Sequence, residues 1–338
     1  MGDEFQNERL GPPQVSEAPL FARVWVPARW PPGPRHRWYN SLPFHVALFL
    51  LTILTTLIVG THIEFNYTQN LPAFDWDISG AYFHELWQDP ARLALGVPFS
   101  FTLLSILLAH ELGHYLTCRY YKIRATYPYF IPAPTLIGTL GAFIRIKSPI
   151  LNRRQLFDVG LSGPIVGFVI AIPALIVAIL LSKAAGPINT PDSISLGNPL
   201  ALLLLTKLLR PEVSPAAIAL HPVGCAAWVG LFATSLNLLP VGQLDGGHIL
   251  YAVFGHKYRK ISQGLFLVLL PLGYFCWVGW LAWGSILLVL GLRHPILVEP
   301  AETLGRVRKR LALVGLLIFI LTFMPAPFGQ QGLRDLLR

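Results

Sequence analysis

The feature that most constrains this chain is a series of apolar, nearly uncharged runs, several of them long enough to cross a lipid bilayer. They occupy 44–60, about 93–120, 157–181, about 222–239, 261–291 and 311–324. About 18 or more mostly apolar residues in succession read as a membrane span. Backbone polar groups in hydrocarbon must pair within their own segment, which favours helices. Only 13% of the 338 residues are charged, against about a quarter in a soluble domain. The length would allow two soluble domains, but this composition points to one polytopic membrane domain.

Charge sets the expected topology. Arg23, Arg29, Arg35 and Arg37 precede the first run, which places the N-terminus in the cytoplasm. The 62–92 loop carries Glu64, Asp75, Asp77, Glu85 and Asp89 against Arg92 alone, as suits the outer side. After the second run come Arg119, Lys122, Arg124, Arg145, Lys147, Arg153 and Arg154, as suits a cytoplasmic loop. The run at 261–291 reads better as a hairpin of two short helices turning near Gly279, because that keeps Arg293, Arg306, Arg308, Lys309 and Arg310 inside. The expected fold is an all-α polytopic membrane protein of about seven membrane helices. Residues 1–43 form a proline-rich cytoplasmic segment, 44–325 the membrane domain, and 326–338 a short tail. The ten-residue stretch 200–209 is too short to span. The net charge of +9 follows from these loop residues, so nucleic acid is not an expected partner. Cys118, Cys225 and Cys276 all lie in apolar segments and read as small buried residues.

Residues 122–148 break the helical pattern, with prolines at 128, 132 and 134 and glycines at 138 and 141. From 141 to 147, Ala142, Ile144 and Ile146 alternate with Phe143, Arg145 and Lys147, a strand signal. A membrane-associated strand loop is expected here. Non-helical backbone at that depth persists only beside protein or a wet cavity.

Near the end of the second run stands HELGH, residues 110–114. On a helix, positions i and i+4 share a face, so His110 and His114 can bind one zinc ion together. Glu111 lies about 100° round the helix and can take a proton from a water on that ion. A charged side chain within the membrane costs at least ~2.5–3.5 kcal/mol, which makes Glu111 a functional candidate. The segment His84–Gln88 begins with the same HEL but has no second histidine, and reads as an outer loop without metal. A catalytic zinc needs a third protein ligand and an open position. Asp245, in the stretch NLLPVGQLDGGHIL at 237–250, reads as an N-cap for the following segment and as that ligand, two readings that are compatible. Pro240 is expected to end the preceding helix. His248 reads as a supporting residue, since a fourth protein ligand would close the position that water needs.

HELGH followed by N-x-x-P-x-x-x-x-D-G-G resembles the site-2 protease family of intramembrane zinc metalloproteases, with the likeness running from about 93 to 250. The resemblance implies one Zn2+ held by His110, His114 and Asp245, and Glu111 as catalytic base. It also implies a role for Asn237 in holding the substrate backbone. GTLGAFIRIKSP and LFDVGLSGP, at 138–164, resemble the family's loop and the helix start that follows it. The loop is taken there to offer a strand edge to substrate, so Gly141, Ala142, Phe143 and Ile144 are the expected contacts. Two departures stand out: Ser162-Gly163-Pro164 and then Gly167 replace the family's A-G-P-x-x-N, and no loop has room for a PDZ domain. The implied activity is hydrolysis of peptide bonds in or near transmembrane segments of other membrane proteins, with the bilayer as the second partner. A metal-ion transporter and a non-proteolytic scaffold are the alternatives.

Overall fold

The computed structural model describes residues 38–74, 80–184, 195–290, 303–329 and 332–336. The proline-rich stretch up to residue 37 and the loop holding Arg293 therefore lie outside the described residues. The chain is mainly helical. Its helices are α1 (Leu42–Thr68), α2 (Gly80–Gln88), α3 (Val97–Tyr120), α4 (Arg153–Leu181), α5 (Leu200–Leu209), α6 (Pro222–Asn237), α7 (Asp245–Phe254), α8 (Tyr258–Phe275), α9 (Gly279–Leu290), α10 (Arg306–Thr322) and α11 (Leu333–Leu336). Among the described residues, three helical segments, Leu42–Thr68, Pro90–Tyr120 and Arg153–Leu181, are long and apolar enough to cross a membrane. The other apolar runs give shorter helices. At 1.5 Å per residue, the 16 residues of α6 extend about 24 Å, short of a ~30 Å hydrocarbon core.

The antiparallel strands β1 (Tyr129–Pro132) and β2 (Thr139–Phe143) follow α3. A second, minimal pair joins β3 (Lys183–Ala184) to β4 (Ile218–Ala219). The alternation at 141–147 suggested a strand over those residues, but β2 starts at Thr139 and ends at Phe143, with only an isolated bridge from Ala125 to Ile146 beyond. A side chain explains the interruption, because the Arg145 amide donates to the Thr126 hydroxyl instead of to a strand carbonyl. Residues 84–88 are also not a loop. They end α2, where Gln88 reaches the His84 ring at 2.9 Å, taking the place a second histidine would fill.

The 261–291 run is a pair of helices. α8 ends at Phe275 and α9 begins at Gly279, and the two pack on each other. α4 is the central element, lying against α3, α5, α6, α7 and α10. Its start is capped by Asn152, which accepts from the Gln155 amide, while the Gln155 side chain accepts from the Leu151 amide. The largest core cluster joins Phe99, Leu103 and Ile106 of α3 to Leu175 and Ile179 of α4 and Trp228 and Leu231 of α6. Outward, Leu50, Phe101, Val169 and Leu180 stay exposed on the spans, the apolar surface a bilayer covers. α1 meets the turn before α3 through backbone, for a Cβ on Gly96 would lie 2.1 Å from the Leu57 carbonyl oxygen. Gly96→Ala is therefore expected to destabilise the fold by about 1–3 kcal/mol, visible as a lower thermal midpoint in detergent.

Candidate metal centre

α3 is straightforward to account for. Its sequence is apolar, Pro98 sits in its first turn where no intrahelical donor is lost, and it ends at Tyr120 just before Lys122 turns into the left-handed region. One helical turn separates His110 from His114, and both are buried between α3 and α4. Asp245 arrives from the other side of the site. α6 ends at Asn237, three residues before Pro240, and the chain doubles back through 238–244 into α7. That turn needs the two glycines after Asp245. A Cβ on Gly246 would lie 2.0 Å from the Leu238 carbonyl oxygen, and one on Gly247 2.3 Å from that of Gly242. Asp245 is the first residue of α7 and makes no side-chain cap bond, since Leu244 takes the N-cap position. Of its two sequence readings, the capping role is not realised.

The structure brings His110, His114 and Asp245 together. The Asp245 Oδ2 lies 3.3 Å from Nε2 of His110 and 3.3 Å from Nε2 of His114. The two Nε2 atoms are 3.1 Å apart. Three donors at about 2.0–2.2 Å from one tetrahedral ion stand roughly 3.3 Å from each other, so the spacing fits a single divalent cation. Among the described residues this is the one group of three or more His, Cys, Asp or Glu side chains close enough for a shared ion. His248 falls outside it.

The neighbours of the two imidazoles supply what sequence reasoning did not find. The Nδ1–H of His114 donates to the Val159 carbonyl at 2.7 Å, which fixes the tautomer and turns Nε2 towards the other donors. Ser162 donates its hydroxyl to the same carbonyl at 2.9 Å. Three glycines of α4 give room to His114, His110 and the start of α7. A Cβ at Gly163 would lie 2.2 Å from His114 Nε2, one at Gly167 3.2 Å from the His110 ring, and one at Gly160 3.0 Å from the His248 Cβ. From the other helix, a Cβ on Gly113 would meet the Ser162 carbonyl oxygen at 2.7 Å. The signal for this close contact was present: small residues at 160, 163 and 167 share one helical face, the spacing of tight helix pairs in membranes.

Glu111 is buried and lies off the donor cluster. It lines a cavity of about 500 Å3 together with His110, Gly141, Ala142 and Asn237, while Trp228 and Trp283 form part of the apolar wall. Of the remaining loop residues, Phe143 stacks on Tyr129 at 5.2 Å, and the Ile144 side chain packs on Cys118, Ile123 and Val159. The Asn237 amide stands 3.3 Å from His110 Nε2, at the end of α6. His110, Glu111, Asn237 and the strand residues Gly141 and Ala142 thus line one cavity beside the three clustered donors.

The family model described as peptidase family M50 matches residues 98–277. A relative from Arabidopsis thaliana, the "Probable zinc metalloprotease EGY1, chloroplastic", is 31% identical over 310 residues, covering 87% of this chain and 54% of the relative. The Arabidopsis "Probable zinc metalloprotease EGY2, chloroplastic" is 28% identical over 275 residues, covering 79% of this chain and 47% of the relative. The chain thus spans about half the length of these curated relatives. No solved structure matches it. The matched residues contain HELGH, the strand loop, the glycine face of α4 and Asp245, and on that match the chain belongs to peptidase family M50.

Proposed function

We propose that this chain is an intramembrane zinc metalloprotease that cleaves peptide bonds in or near the transmembrane segments of other membrane proteins. The observation that carries this reading is the clustering of three metal donors, one of which, His110, lines a cavity together with Glu111 and with Gly141 and Ala142 of β2. His110, His114 and Asp245 would hold one Zn2+, which would supply Lewis acidity for a carbonyl and lower the pKa of a water. Glu111 takes the proton from the attacking water and returns it to the leaving amine. Asn237 and the backbone of 141–144 hold the substrate as an added strand. This replaces hydrogen bonds that the substrate's own helix gives up when it unwinds. A transporter would have no use for a base beside the metal.

The finer architecture belongs to the same reading. α1, α3, α4, α6, α8, α9 and α10 form seven membrane helices, with the shorter ones accommodated by local bilayer thinning. The N-terminus and the metal face the cytoplasmic side, as the basic loops after α3 require. Residues 1–43 form the cytoplasmic segment, 44–325 the protease domain with its core at about 93–250, and 326–338 the tail. Metal content tests the reading first. Purified wild type is expected to carry one zinc per chain, and Asp245→Ala to retain less than a tenth of it. Co-expression with single-span proteins then reads cleavage. A wild type that holds no zinc, or that cleaves equally well when stripped by a chelator, overturns the proposal.

A further inference from the structure

In the sequence, Arg308 bore only on topology, as one of several basic residues ahead of the last apolar run. In the fold, its guanidinium grips both oxygens of Asp158, Nε to Oδ1 at 2.8 Å and Nη2 to Oδ2 at 2.6 Å. The Tyr121 hydroxyl donates to the same carboxylate, and Arg308 Nη2 lies 3.3 Å from that hydroxyl. We propose that Tyr121, Asp158 and Arg308 are positioning residues for the metal ligand His114, acting through the carbonyl of Val159. The inference rests on the metal-binding reading of His114.

Asp158 directly precedes Val159, whose carbonyl fixes the His114 ring. The cluster therefore holds the turn of α4 that carries this acceptor. Tyr121 follows α3 directly, seven residues past His114, so it and His114 mark two points on one edge of the α3–α4 contact. Gly113 against Ser162 fixes that contact near its middle, by backbone. Tyr121 and Asp158 fix its end, and Arg308 adds α10 as a third wall. A small slide of α4 along α3 would move the Val159 oxygen away from Nδ1, and the ring would lose its orientation. The ion pair is suited to such a task. Its side chains are only 27% and 21% exposed, and the two-pronged geometry is the strong form of a charge-assisted bond. An exposed pair of lysine and carboxylate would hold position poorly.

Zinc affinity measures the effect without reference to proteolysis. With the full chain in lipid nanodiscs, competition against a chelating dye is expected to show Arg308→Met binding zinc about tenfold more weakly than wild type, the lower end of the range for loss of a direct outer partner of a metal ligand. Arg310→Met removes an equal charge from an exposed site two residues away and should change affinity less than about twofold. Arg308→Lys keeps the charge without the fork and should fall between them. Cobalt in place of zinc gives an independent readout, because a displaced His114 shifts the visible absorption bands. If Arg308→Met does not fold, Tyr121→Phe, which removes only a hydroxyl, should still weaken zinc binding several-fold. A purely structural role predicts a lower thermal midpoint of the metal-free protein with affinity and cobalt spectrum unchanged; that result overturns the inference. Wild type binding no zinc would instead defeat the metal-site reading and this inference with it.

Discussion

Glu111→Gln is expected to abolish cleavage while leaving the zinc in place. Glutamine has nearly the same shape, so the cavity wall formed with Gly141, Ala142 and Asn237 should keep its form. What disappears is the capacity to accept a proton. A positioned general base contributes roughly 10²–10⁴ in rate, and a loss of that size takes slow intramembrane hydrolysis below detection. Zinc should stay at one per chain, because Glu111 is not among the three clustered donors. The measurement is paired: substrate cleavage on co-expression, and metal content of the same purified variant. Cleavage within tenfold of wild type would remove Glu111 from its role. Joint loss of zinc and cleavage would instead make Glu111 part of the metal site. A metal transporter would come through the same substitution with its transport intact.

Gly163→Ala should have nearly as large an effect for a different reason. The added methyl would stand 2.2 Å from His114 Nε2, 2.5 Å from Cε1 and 2.6 Å from Cδ2, so the ring must move. The atoms in the way belong to the end of a side chain rather than to backbone, so the helices can stay packed. The protein is expected to fold and insert, with His114 rotated off its donor position. A displacement of about 1 Å at a reacting centre can cost roughly a hundredfold in rate, and cleavage should fall by at least that much. Zinc affinity should fall in parallel, and the thermal midpoint of the metal-free protein should hardly change. Alanine retaining wild-type affinity would show that the ring has another resting place. Gly167→Ala is a useful graded control, since its methyl would approach the His110 ring no closer than 3.2 Å.

Much of the site was legible in the sequence because its logic is local. HELGH on a helix places two imidazoles on one face whatever surrounds it, and a proline followed later by Asp-Gly-Gly marks a break where a carboxylate can leave the helical path. Only three-dimensional packing decides that Asp245 turns to the histidines instead of capping α7. The α4 contribution was harder to read. Gly167 registers in the sequence as a departure from a family pattern and Gly163 as a match to it, while their purpose depends on which helix lies opposite. Val159 is less legible still, because it acts through a main-chain oxygen and any residue there would present one. The strand starts two residues and ends four residues earlier than the alternation suggested, its end set by the Thr126 hydroxyl, a side-chain competitor that alternation cannot register. Helix lengths in the second half were the least legible. Apolar runs such as 222–239 report hydrophobicity, whereas capping and proline decide where each helix stops.

The hairpin's attachment to the first membrane helix has a mechanical consequence. Gly138 approaches α1 so closely that a Cβ there would lie 2.7 Å from the Thr55 carbonyl oxygen. Nearby, His45 lies against Tyr129 at 4.1 Å, Phe49 meets Phe130 at 4.8 Å, and the Tyr129 hydroxyl donates to the Tyr39 carbonyl. Strand and helix are thereby welded into one lever. A tilt of α1 in the bilayer, such as a change in lipid thickness would impose, would therefore carry the free edge of β2 with it.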